Sequence, residues 1–137
     1  MVYMGSKSRL AKYILPYIEK GLKYFDNGVY IEPFVGGANL ICKVNAAYKF
    51  GLDNNKYLIA LLNYCKNSPP NKLPDYQELT FEEYQRVKDN KDDYPDWYVG
   101  LIGFICAYRA KFFGGYCHGG KTEGRNYVRE HLNNITK

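Results

Sequence analysis

Glu32, Gly36, Gly37 and Asp53 are the residues of this 137-residue chain whose types and spacing can do chemistry. The first three lie in Tyr30-Ile31-Glu32-Pro33-Phe34-Val35-Gly36-Gly37-Ala38-Asn39-Leu40, where a β-prone run delivers a carboxylate and a glycine pair into a turn. Glycine lets the main chain turn sharply and lie close against a ligand. Cofactor sites in open α/β sheets sit at such carboxyl ends of strands. The turn lacks G-x-G-x-x-G, which weighs against a pyrophosphate cradle. A carboxylate here suits a ligand with a positive end, such as an ammonium. Asp53 ends a second run, Lys49-Phe50-Gly51-Leu52-Asp53, where an acidic side chain can accept from both hydroxyls of a ribose. Each feature alone also fits a plain turn or a helix cap. Their combination favours a nucleoside-type ligand.

The elements that must position these residues follow from periodicity. Leu10, Ile14, Ile18 and Leu22 recur every four positions and predict a helix over residues 8–23. Asp26-Asn27-Gly28 reads as a turn, Val29-Tyr30-Ile31 as a strand and Ala38 to Tyr48 as helical. A second strand over 49–53 precedes a helix, capped at Asn54 or Asn55, that buries Leu58, Leu61, Leu62 and Cys65. This order is the opening of an open α/β sheet. Asn67-Ser68-Pro69-Pro70-Asn71-Lys72-Leu73-Pro74 then breaks the pattern. Beyond it, Thr80-Phe81-Glu82-Glu83 matches a capping box for a helix to about Lys91. Asp96 to Phe113 reads as a longer apolar helix, residues up to Arg125 as a glycine-rich loop, and 127–134 as a short last helix. Two strands fall short of the three or more that an independent sheet needs. Further strands are expected beyond Lys137 or from a complementing chain.

Bulk composition narrows the class. Hydrophobic residues are 46%, enough for a core, and no segment approaches the ~18 apolar residues of a membrane span. The N-terminus lacks the order of a secretion signal, so a cytoplasmic protein is expected. Cys42, Cys65, Cys106 and Cys117 fit neither a disulfide scaffold nor a zinc site, and the Cys117-His118 dipeptide is a poor start for one; no metal is expected. Nineteen basic against 14 acidic residues leave a net charge of +5, compatible with a polyanion. Fifteen Tyr and seven Phe, several beside Lys or Arg, suit contact with bases and phosphates.

The turn Glu32-Pro33-Phe34-Val35-Gly36-Gly37 resembles the cofactor motif of the Dam-type (D12 class) adenine-N6 DNA methyltransferases. Tyr3-Met4-Gly5-Ser6-Lys7 is similar to that family's N-terminal motif, an aromatic followed four positions later by lysine. Gly51-Leu52-Asp53-Asn54-Asn55 matches its strand-end aspartate. The resemblance implies S-adenosyl-L-methionine as cofactor, with Tyr3, Lys7, Glu32, Pro33, Phe34, Gly36, Gly37, Ala38 and Asp53 around it and Lys7 near the transfer centre. It implies an incomplete Rossmann-like methyltransferase fold over residues 1–66 and a mainly helical target-recognition region over 67–137.

Tyr108-Arg109-Ala110-Lys111-Phe112-Phe113-Gly114-Gly115-Tyr116-Cys117 resembles the family's arginine–aromatic–glycine segment that lies against double-stranded DNA. Arg109 and Lys111 can neutralise phosphates, and Phe112, Phe113 or Tyr116 can stack where an adenine is extruded. Closing the core of the preceding helix is an equal alternative for Phe112 and Phe113. Lys121, Arg125 and Arg129 fit a phosphate-contacting loop or a solvated face. The family's catalytic Asp-Pro-Pro-Tyr is absent, and Ser68-Pro69-Pro70-Asn71 lacks its aromatic and follows a helix. The expectation is a site-specific DNA adenine methyltransferase fragment, inactive alone, with its catalytic residues outside the chain. Two alternatives stand beside it: a non-enzymatic DNA-binding module or decayed phage protein, and another nucleotide-binding α/β protein.

Overall fold

A computed structural model describes residues 1–25, 28–117 and 124–135, arranged in two compact units. One comprises Gly5–Asn55; the other joins Met1–Met4 to the chain from Lys56 onward. The expected turn at Asp26-Asn27, together with His118 and Lys121, lies outside the described residues.

In the Gly5–Asn55 unit, residues 7–9 form a 3-10 turn whose cap, Ser6 Oγ, accepts from Ser8 N at 3.2 Å. Helix α1 runs Ala11–Leu22, shorter than the apolar period because this turn takes up its first residues. Ala11 is buried, and Ile14, Ile18 and Leu22 lie half-buried below it, while Leu10 stays exposed. Strand β1, Val29–Glu32, pairs in parallel with β2, Tyr48–Gly51, in the register Val29↔Tyr48 to Glu32↔Gly51. The helix expected over 38–48 is replaced by a single 3-10 turn at Ile41–Lys43 and an extended approach from Val44. The backbone explains the difference. Left-handed φ angles of 49° at Gly36 and 58° at Ala38 fold the chain back before a helix can nucleate. Leu40 and Val44 then anchor the return by burial.

The second strand also ends two residues earlier than expected, at Gly51. Leu52 N still donates to Glu32 O at 2.9 Å, and Val35 N to Leu52 O at 2.8 Å, so the pairing continues as a lock between the two strand ends. Gly51 is required there: a Cβ would lie 2.7 Å from Val35 Cγ2.

The other unit is helical. Helix α2 is Lys56–Asn67, α3 is Phe81–Asp89, α4 is Asp96–Ile105 and α5 is Tyr127–Ile135. Helix α2, which the sequence groups with the first segment, packs along α4. Thr80 caps α3 by accepting from Glu83 N at 3.2 Å, one half of the expected capping box. The Glu83 carboxylate instead accepts from Tyr98 Oη at 3.0 Å and pairs with Arg86. Helix α4 is buried from Val99 to Ile105 and forms the centre of the core with Leu58, Leu61, Leu79, Tyr84 and Val87. It stops at Ile105, not at Phe113. The chain turns back, Ala107 bridges Tyr116 in antiparallel fashion, and Phe113 N donates to Gly103 O at 2.9 Å. The returning segment thus satisfies a carbonyl that the helix end would otherwise leave open.

Cys106 and Cys117 are buried, free thiols within this core, and Cys117 N donates to Cys106 O at 2.8 Å. Burial pushes the Cys117 thiol up to about 11, and Cys106 well above its ordinary range. Above pH ~9 the unfolded chain releases the Cys117 proton while the folded chain keeps it. Stability is therefore expected to fall as pH rises from about 9 to about 11, by on the order of 2 kcal/mol from this group. Thermal midpoints across that window should fall less steeply for Cys117→Ala than for the parent. Parallel slopes would refute the assignment.

Candidate functional site

The carboxyl ends of β1 and β2 gather residues from three parts of the Gly5–Asn55 unit. Strand β1 carries Glu32 into the interior, where its side chain is only 4% exposed. Lys7, delivered by the 3-10 turn before α1, donates from Nζ to Glu32 Oε1 at 3.0 Å and to Phe34 O. The second carboxylate oxygen, Oε2, is buried and accepts no hydrogen bond from the described residues. Tyr30 lies near enough to feel the charge. Its phenol is raised above the usual value by burial first, then by the neighbouring Glu32 carboxylate.

Asp53 closes the turn from the other strand. Its Oδ2 accepts from Gly36 N at 3.2 Å and its Oδ1 from Asn55 N at 3.1 Å. Both oxygens retain free lone pairs, so these bonds orient the carboxylate without exhausting it. Ser6 Oγ accepts from Asn39 Nδ2 at 2.9 Å, fastening the N-terminal segment to the residues after the turn. Phe34 stands at the surface, 77% exposed, beside Pro33. Gly36 and Gly37 are buried.

Of the nine residues that sequence associates with a cofactor, eight lie in this one unit. Tyr3 belongs to the helical unit, its ring centroid 5.7 Å from that of Phe104. Sequence reasoning missed Tyr30 and the Ser6–Asn39 pair. Tyr30 is two residues before Glu32 and so shares its face of the strand, a signal that period-two alternation contains.

The 107–116 hairpin sorts the residues associated with DNA into two groups. Arg109 and Lys111 are exposed. The Arg109 guanidinium lies 5.3 Å from the centre of the Tyr108 ring. Phe112 and Phe113 are half-buried against the core: Phe112 stacks on Tyr57 at 5.5 Å and Phe113 tilts against Tyr84 at 5.3 Å. Tyr116 Oη donates to Leu79 O at 2.9 Å, and its ring meets Phe81 and Tyr84 edge-on. Of the later basic group, Arg125 forms a two-pronged pair with Glu130, and Arg129 donates to Tyr76 Oη at 3.1 Å. Among the described residues no cluster of His, Cys, Asp and Glu could hold a metal ion, and no helix is long and apolar enough to cross a membrane.

The chain is 31% identical over 90 residues to the modification methylase StsI of Streptococcus sanguinis. That stretch is 66% of this chain but 13% of the relative. No solved structure matches. The family model of D12 class N6 adenine-specific DNA methyltransferases matches residues 3–100, which include the Lys7–Glu32 pair, the glycine turn and Asp53. The chain belongs to the D12 class of N6 adenine-specific DNA methyltransferases.

Proposed function

We propose that this chain forms the cofactor-holding and DNA-contacting part of a site-specific adenine-N6 methyltransferase that uses S-adenosyl-L-methionine. The observation that carries the reading is the buried Glu32 carboxylate, with one oxygen held by Lys7 and the other without a partner among the described residues. An unpaired buried charged oxygen is costly unless a ligand completes it. The ammonium of a methionine moiety supplies the missing donor. Glu32 then holds the amino-acid end, the Gly36–Gly37 backbone passes beneath, and Asp53 accepts from the ribose hydroxyls. The cofactor supplies the electrophilic methyl group. This chain's residues bind and orient.

Transfer itself needs more than these 137 residues. The Asp-Pro-Pro-Tyr motif is not among them, and Ser68-Pro69 follows helix α2 rather than a strand. The sheet also supports a larger assembly. Val29, Ile31, Tyr48 and Phe50 share one face by register, and all four are exposed, with Leu52 following. Parallel sheets are covered on both faces. Completion of a Rossmann-like sheet, by the rest of the same protein or by a complementing chain, would bury that face. Residues 67–137 serve as the target-recognition region in this reading.

Calorimetric titration with S-adenosylhomocysteine tests it. The parent is expected to bind, and Asp53→Ala to lose about tenfold or more, because two backbone anchors and the ribose acceptors go together. Asp53→Asn, which keeps one acceptor for Gly36, should fall between them. A folded parent that binds nothing, alone or when the face-covering polypeptide is added, would sink the proposal.

A further inference from the structure

We propose that Tyr108 is the DNA-stacking ring of the 107–116 hairpin, lying on a base or sugar beside the phosphate that the DNA-binding reading gives to Arg109. The inference rests on the DNA-binding reading above and assigns that contact to a ring the motif comparison passes over.

Three observations converge. First, the aromatic side chains nearest the glycines are committed to the protein. Phe112 sits 4.9 Å from Phe104 and 5.5 Å from Tyr57, Phe113 packs on Tyr84, and Tyr116 is tied to Leu79. A Cβ on Gly103 would lie 2.4 Å from Phe112, so α4 has made room for that ring. Second, Tyr108 is 56% exposed and carries the Arg109 guanidinium over its ring, a pairing of ring and cation that suits bases and phosphates. Arg109 makes no ion pair with a described carboxylate.

Third, the backbone is held in an unfavourable form to present this pair. Arg109, Ala110 and Phe113 have φ angles of 54°, 50° and 46°, in the left-handed region that favours glycine. The surroundings impose it. Tyr108 N donates to Gly115 O at 2.7 Å, Gly115 N to Tyr84 Oη at 3.1 Å, and Phe113 N to Gly103 O at 2.9 Å. A hairpin that only closed the core would be relieved by glycine at position 109. An arginine placed there against its conformational preference points to a use for the side chain.

The test is fluorescence anisotropy of the full chain with a labelled mixed-sequence DNA duplex at several salt concentrations. Tyr108→Leu is expected to bind about tenfold more weakly with an unchanged salt slope, while Tyr108→Phe binds like the parent. Arg109→Gly should weaken binding and reduce the slope of log affinity against log salt by about one. Its thermal midpoint should be no lower than the parent's, which separates lost contact from lost fold. Parent-like binding by Tyr108→Leu overturns the assignment and leaves the proposed function standing. A parent that binds no duplex overturns both. Equal loss of duplex and poly-glutamate binding in Tyr108→Leu would mark a surface for acidic polypeptides and overturn it too.

Discussion

Gly100→Ala is expected to lower the stability of the helical unit by about 2–3 kcal/mol, although alanine is the better helix former. Gly100 lies inside α4 where α2 crosses it, and a Cβ would stand 2.2 Å from Tyr57 O and 3.0 Å from Leu61 Cβ. The nearest obstacle is a backbone carbonyl, which cannot rotate away as a side-chain tip can. Helix α2 must therefore shift bodily, and the contacts of Leu58 and Leu61 shift with it. The propensity gain of about 1 kcal/mol offsets only part of that cost. Gly21 supplies the contrast: it lies in α1 with nothing within 4 Å of its added Cβ. Gly21→Ala should be neutral or stabilising. Denaturation followed by tryptophan fluorescence reads the Gly100 effect directly. Trp97 is the chain's one tryptophan, and it stacks on Tyr64 of α2 with ring centroids 3.9 Å apart and 7° between planes. A Gly100→Ala midpoint within about 2 °C of the parent's would contradict the packing argument.

Gly100 also shows what periodicity can and cannot deliver. A continuous apolar stretch identifies α4 as buried, yet the pair Gly100 and Gly103 carried the more specific message. Small residues three apart on one apolar helix let a neighbouring backbone approach at the first and the Phe112 ring at the second. The overlong reading of α4 has the same root. Residues 107–113 are apolar and aromatic enough to continue a helix pattern, but their rings pack back onto the helix end, and Gly114-Gly115 lets the chain return. Local pattern does not distinguish a helical turn from a hairpin folded onto its own helix. The strands were legible because each is a short β-prone run beside a glycine. The expected helix between them was not formed, because φ values at Gly36 and Ala38 follow from the lock between Val35 and Leu52, a contact distant in sequence. Glu32 and Asp53 stand out in the sequence as carboxylates on either side of a glycine pair. In the structure Asp53 accepts from Gly36 of the turn, and Glu32, at the end of β1, pairs with Lys7.

Glu32→Gln should weaken S-adenosylhomocysteine binding by about 30- to 100-fold while leaving the ligand-free chain as stable as the parent or slightly more so. The two effects share one cause. In the ligand-free chain the carboxylate has a single good partner, Lys7 at 3.0 Å, and its Oε2 is buried without another among the described residues. The amide keeps the side chain's shape and an acceptor for Lys7, and it removes a buried charge whose desolvation the one ion pair only partly offsets. Binding inverts the balance. An ammonium placed at Oε2 forms a charge-assisted hydrogen bond in a site shielded from water, worth about 2–3 kcal/mol more than its neutral counterpart. Lys7→Met completes the argument, since it strips the partner and leaves the carboxylate with neither oxygen paired by that lysine. That variant should be destabilised in the ligand-free state and should recover much of the loss at saturating ligand, because the ligand's ammonium takes over the neutralising role. Thermal midpoints with and without ligand, set beside calorimetric affinities, distinguish a site kept strained for its ligand from a salt bridge that merely holds the turn. If Glu32→Gln lost stability without losing affinity, Glu32 would be a structural residue and the ammonium-binding role would have to pass to another group.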